Sequence, residues 1–151
     1  MKKTLSISLL LVLIIAGCKK DSTTPVGLTK TQLLTRNTWQ VEELISQYGN
    51  TQGEYKKGGI NSTGSDYSKY RITFSTNGTG SFTDPLNHTY TFTWNFASGD
   101  ETKMTIIANY PTPATLNYSL VNLDGNSFTY TIHYVESGNL ALATARNIPF
   151  P

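Results

Sequence analysis

Few side chains in this sequence are suited to covalent or metal chemistry. There is one cysteine, Cys18, and there are two histidines, His88 and His133. Nucleophilic catalysis by a Cys/His pair needs the thiol inside the folded domain, beside its base. Cys18 instead ends an apolar leader. His133 falls on the threonine-bearing parity of the alternating stretch "FTYTIHYV" at 128–135, and His88 stands at the polar turn that opens "HTYTFTWNF" at 88–96. Both are therefore expected on an outer, solvated face. No His-Glu-x-x-His pattern, no Cys/His metal spacing and no phosphate-cradling glycine run occurs. The expectation is no enzyme, no metal and no cofactor.

The remaining candidates are aromatic. One parity of three stretches carries Tyr70, Ile72 and Phe74, then Tyr90, Phe92, Trp94 and Phe96, then Phe128, Tyr130, Ile132 and Tyr134. A tyrosine buries its ring while its hydroxyl seeks water or a partner. Inward tyrosines around an opening would hold a small, mainly apolar molecule by its polar end. On this reading Tyr70, Tyr90, Phe92, Tyr118 and Tyr134 are the candidate ligand-binding residues.

The elements that position them begin after a leader. Lys2 and Lys3 are followed by Leu5 to Ala16, apolar apart from Ser6 and Ser8. That run is too short to cross a hydrocarbon layer of roughly 30 Å, so residues 1–17 read as a signal peptide. Ile15-Ala16-Gly17-Cys18 resembles a bacterial lipobox. The resemblance implies a diacylglyceryl group on the Cys18 thiol, cleavage before Cys18 and acylation, by palmitate or a similar chain, of the new amino terminus. Two or three such chains anchor firmly where one does not. A lysine after Cys18 resembles the enterobacterial outer-membrane sorting pattern. "KKDS" resembles the export signals of Bacteroidetes surface lipoproteins, and "DST" at 21–23 the O-glycosylation motif of that phylum. The implied location is the cell envelope, anchored in the outer membrane on its periplasmic or surface face.

Residues 18–27 are polar with Pro25 and read as a flexible tether, leaving 28–151 as one domain. With Lys2 and Lys3 removed, ten Lys/Arg face ten Asp/Glu. No basic patch stands out, so nucleic acid is not an expected partner.

Within the domain, Thr29–Arg36 suits a short N-terminal helix capped by Thr29. Strand signals then recur over 38–46, 68–75, 79–83, 88–96, 102–109, 115–122, 126–135 and 139–146. Turn chemistry separates them. Asn77-Gly78 suggests a type I′ hairpin, and Asp84-Pro85-Leu86-Asn87 places proline at the second turn position. Ser98-Gly99, Asp124-Gly125 and Ser137-Gly138 supply glycines for positive φ. Eight strands with short joints and no intervening helix predict an antiparallel up-and-down barrel, closed so that no edge is exposed. The exception is 47–67, "QYGNTQGEYKKGGINSTGSDY", which reads as a lid, a binding loop or a disordered stretch.

"LLTRNTWQVEEL" (33–44) and "YRITFSTNGTGSF" (70–82) resemble the lipocalin-like domains of bacterial lipoproteins, of the Bacteroidetes type. Asn37 stands where lipocalins carry a glycine before the tryptophan. The resemblance implies a calyx-type barrel and supplies no ligand.

Strand alternation gives the barrel direction. The 47–67 segment shares one end, the mouth, with the joints at 84–87, 110–114 and 136–138. The tyrosines lie nearest that end, and Phe and Trp lie deepest. Met104, Ile106, Leu116, Leu120, Leu140 and Leu142 should complete the interior, with Trp39 plugging the base beside the helix. Strict alternation also turns Glu43 inward, unless a bulge rotates it out and brings Leu44 in. Two functional readings follow. One is a lipid-anchored carrier of a small apolar ligand, with 47–67 as its gate. The other is a filled barrel, with Phe92, Trp94, Tyr118 and Ile132 closed on one another, whose 47–67 loop docks a protein or glycan.

Overall fold

A computed structural model describes residues 27–110, 112–136 and 139–151. The leader, Cys18 and nearly all of the tether lie outside the described residues, as does the Ser137-Gly138 turn.

A short helix, α1 (Lys30–Thr35), precedes nine strands: β1 (Thr38–Tyr48), β2 (Thr51–Lys56), β3 (Arg71–Phe74), β4 (Thr79–Thr83), β5 (Thr89–Ala97), β6 (Asp100–Tyr110), β7 (Thr112–Leu123), β8 (Phe128–Glu136) and β9 (Asn139–Pro149). The helix starts as its sequence suggests. The Thr29 hydroxyl accepts from the Gln32 N–H, and the Gln32 side chain accepts from the Thr29 N–H, a complete capping box.

β1 and β3–β9 form a closed antiparallel barrel of eight strands, with β1 pairing β9. β2 is an additional strand, and the 47–67 segment is therefore not an irregular loop. β1 continues to Tyr48, turns at Gly49 (φ 56°) and returns as β2, with Tyr48 opposite Thr51 and Glu43 opposite Lys56. Below this hairpin the same edge of β1 pairs with β3, Trp39 facing Ile72. The chain between β2 and β3 folds back along β2 through the Tyr55–Asn61 bridge. It ends in a single 3₁₀ turn, Tyr67–Lys69, capped by the Asp66 carboxylate on the Ser68 N–H.

The turns partly follow expectation. Pro85 lies inside a turn closed by the Asn87 N–H on the Asp84 carbonyl, with Asn87 at φ 72°. The Ser75–Gly78 turn is not type I′. Gly78 has positive φ but Asn77 does not, and Asn77 Oδ1 instead accepts from the N–H and hydroxyl of Thr79. Gly125 also lacks positive φ. There the Asp124 carboxylate closes the turn by accepting from the N–H groups of Asn126 and Ser127.

Two bulges decide which side chains reach the interior. In β1 the register shifts between Val41 and Glu43. Glu43 points outward to Lys56 Nζ at 3.0 Å, with nearly half of its side chain exposed. Leu44 takes the inward place. In β7 the register shifts between Ser119 and Asn122. Leu120, expected inside, has φ 51° and is 75% exposed, while Val121 and Leu123 are buried. An inserted residue inverts the parity beyond it.

β9 departs in parity rather than register. Its buried row is Ala141 and Ala145, with Ala143 between them against the core. Leu142 is on the other parity. The side chain of Leu140 lies outside the described residues.

The lower half of the barrel is filled. Phe74 packs edge-on against Phe92, Trp94 and Phe128, with ring centroids 5.3–5.7 Å apart. Trp39 is fully buried, lies 5.8 Å from Phe128 and donates its indole N–H to the Leu34 carbonyl at 2.9 Å. The tryptophan thus ties α1 to the base. On β4, Gly80 is required by a close approach. A Cβ there would lie 2.2 Å from the Phe92 ring and 2.5 Å from the Thr73 carbonyl.

Candidate ligand-binding site

Above this aromatic floor is a cavity of about 200 Å³. All eight barrel strands reach it or adjoin it. β1 supplies Val41, Leu44 and Ser46. The segment entering β3 supplies Tyr67 and Tyr70, and β3 itself supplies Ile72. Phe82, Phe92 and Ile106 come from β4, β5 and β6. β7 contributes Leu116 and Tyr118, β8 contributes Tyr130, Ile132 and Tyr134, and β9 contributes Ala143 and Ala145. The void has a local cause. At Ala141, Ala143 and Ala145, three successive inward positions, β9 offers only a methyl, so the side of the barrel between β8 and β1 lacks the bulk present elsewhere. Interiors otherwise pack to crystal-like density, and an eight-stranded barrel is wide enough either to be filled by its own side chains or to hold one small ligand.

The polar groups of the wall converge. Tyr118 and Tyr130 stack with centroids 4.2 Å apart. The Tyr130 hydroxyl is close enough to those of Tyr70 and Tyr118 and to the Asn147 amide for each to bear on its proton affinity. Asn147, fully buried on β9, also donates to the Phe128 carbonyl at 3.1 Å. Burial pushes the Tyr70 and Tyr118 hydroxyls well above their usual range, and the neighbouring tyrosines add to the shift. Burial raises Tyr130 as well, with the polar side chains of Asn147 and Tyr118 opposing it. The hydroxyls are neutral donors and acceptors at any physiological pH.

Access is framed by the β1–β2 hairpin and the 3₁₀ turn. Tyr67 lies 5.5 Å from Tyr55, which is buried on β2, and 6.3 Å from Tyr70. These rings close the seam where β2 gives way to β3 along β1.

Of the five residues expected at the site, Tyr70, Phe92, Tyr118 and Tyr134 line the cavity. Tyr90 does not. It is half-buried one layer nearer the rim, with its ring 5.3 Å from Phe82 and 6.4 Å from His88. Phe92, Tyr118 and Ile132 surround the space rather than closing it. Trp94 stays below, with its indole N–H donating to the Ser75 and Thr79 carbonyls. Tyr67, Tyr130, Phe82 and the alanines were not among the expected site residues. The alanines had a legible signal, "ALATA" at 141–145, one small residue at every second position. Tyr67 had none, because its position depends on how 57–66 folds back.

The histidines sit outside this site. His133 is exposed. His88 follows the Pro85 turn, with Nδ1 3.4 Å from the Asp84 carboxylate. Among the described residues, no three His, Cys, Asp or Glu side chains group together as metal ligands would.

Neither a family model nor a curated protein sequence matches the chain.

Proposed function

We propose that this chain is a lipid-anchored, lipocalin-like binding protein of the cell envelope, and that it holds a small, mainly apolar molecule in the upper half of its barrel. The supporting observation is the 200 Å³ cavity, walled by aliphatic and aromatic side chains and carrying a convergent group of tyrosine hydroxyls. Apolar pockets with a few convergent polar groups are the usual form of small-molecule sites. A dry cavity of about 150 Å³ takes a benzene-sized molecule, so the occupant here has on the order of ten non-hydrogen atoms. The binding is non-covalent, with no proton transfer. The membrane contact is the acylated Cys18, and the tether of residues 18–27 separates barrel from bilayer at the outer membrane.

The test uses the full chain with Cys18→Ser, so that neither acyl chains nor detergent compete for the cavity. Native mass spectrometry after expression in cells should show a bound small molecule. Alternatively, added toluene should raise the melting temperature. Absence of both would refute the carrier reading. The anchor is tested separately, because wild-type protein should incorporate labelled palmitate in cells and the Cys18→Ser chain should not.

A further inference from the structure

We infer that the cavity selects an uncharged amphiphile, with an alcohol, phenol or ketone head on a short apolar body, and excludes the carboxylate of a fatty acid. The inference rests on the ligand-binding reading and sharpens it to a chemical class.

The ground is the chemistry of the wall. Among the described residues its ionisable groups are five tyrosines: Tyr67 from the 3₁₀ turn, Tyr70 just before β3, Tyr118 from β7, and Tyr130 and Tyr134 from β8. What β1, β4, β5, β6 and β9 present to the cavity is aliphatic or phenyl, with Ser46 the one hydroxyl among them. Among the described residues, no ammonium, guanidinium, imidazole or carboxylate lines the cavity. An anion placed there would lose its hydration with no cation to compensate, which is prohibitive in a low-dielectric interior. A hydroxyl or carbonyl head needs only a neutral hydrogen-bonding partner. Tyr70, Tyr118 and Tyr130 provide that partner, and their hydroxyls already gather at one place.

The charged groups closest in the chain are turned elsewhere or carry the wrong sign. The Arg71 guanidinium donates to the Ser68 and Tyr70 carbonyls and lies 4.0 Å over the Phe150 ring. Asp66 and Lys69 flank Tyr67 in the 3₁₀ turn, where the Asp66 carboxylate serves as its cap. A surface crevice places residues 64–67 beside residues 84–86, so two carboxylates, Asp66 and Asp84, border that side of the rim. His88 adjoins Asp84 rather than the cavity. Among the described residues, that side of the rim sets two carboxylates against one exposed ammonium, Lys69, so an incoming anion meets no net attraction there.

The experiment measures binding of three probes to the full chain with Cys18→Ser: octan-1-ol, octanoic acid and toluene. Octan-1-ol should bind equally at pH 5 and pH 8. Octanoic acid should lose about tenfold in affinity per pH unit above its carboxyl pKa, which lies near the usual 4–5. Between pH 6 and pH 8 the loss is then roughly a hundredfold. Tyr118→Phe should weaken octan-1-ol about fivefold, the net worth of one hydrogen bond, and leave toluene unchanged. Tyr70→Phe serves the same purpose if the first variant does not fold. Octanoate bound at pH 8 as tightly as octan-1-ol would overturn the selectivity while leaving a binding protein. Octan-1-ol binding unaffected by either substitution would overturn the role of the hydroxyls. Failure of all three probes would instead remove the ligand-binding reading itself.

Discussion

Filling the cavity from β9 separates a true void from loose packing. Ala143 lies opposite Ser46 on β1 and Ile132 on β8, and both neighbours border the same space. Ala143→Leu adds three carbons on the wall that carries least bulk. At about 0.8 kcal/mol per buried methylene the gain is about 2.4 kcal/mol. Fixing the new side chain costs about 0.5–1 kcal/mol of rotamer entropy. The net expectation is a stabilisation of about 1.5 kcal/mol, which for a domain of this length raises the melting temperature by about 5–8 °C. Urea unfolding should show a higher midpoint with an unchanged slope, because the surface exposed on unfolding hardly changes. The same variant should lose toluene and octan-1-ol binding. Overpacking typically costs 1–3 kcal/mol. A destabilised Ala143→Leu, or one that still binds the probes at wild-type affinity, would refute the claim that this side of the barrel is empty.

Three further substitutions probe the frame around the site. Trp39→Phe removes the indole N–H from the buried Leu34 carbonyl and should cost about 1–3 kcal/mol in urea unfolding, loosening α1 from the base. Gly80→Ala sets a methyl into the Phe92 ring and the Thr73 carbonyl; it should destabilise by about 1–3 kcal/mol and, by displacing Phe92, weaken probe binding. The Asp100 carboxyl is held down, from 3.8 to about 2, by the Thr102 hydroxyl first and then by Lys103 and the Thr102 N–H. A depressed folded pKa contributes stability above the unfolded value that is lost as the folded value is approached. The urea midpoint should therefore fall between about pH 4 and pH 2, and Asp100→Asn should fall less steeply over that range.

Much of the barrel was legible from alternation. β5, β8 and most of β6 keep a strict period of two, so their inward rows could be read directly. The closing Pro85 turn and the Thr29 cap carry their own chemistry. Where the period breaks, reading failed or needed a tie-breaker. Leu120 is as apolar as any core residue, and nothing local announces that the bulge before Asn122 will expose it. On β9 the leucine parity, expected inside, is the more hydrophobic, yet the alanines face inward. Their pairing to β1 and β8 sets that face, and hydrophobicity along β9 alone cannot. The 47–67 segment, rich in glycine and polar residues, gave no strand period strong enough to reveal β2.

The sequence by itself determined the strand count of the barrel, the order of its turns and the tyrosine-rich character of one end, because period-two patterning and turn residues act locally. Only the tertiary structure decided that the interior is not full. A cavity is a sum over all the strands that face it. It depends on two bulges, on the parity of β9, and on the β1–β2 hairpin displacing β3 from the upper wall. Each of these is settled by pairing between segments far apart in the chain. The hydroxyls of Tyr70, Tyr118 and Tyr130 meet for the same reason, and that meeting turns a row of aromatic residues into a candidate site.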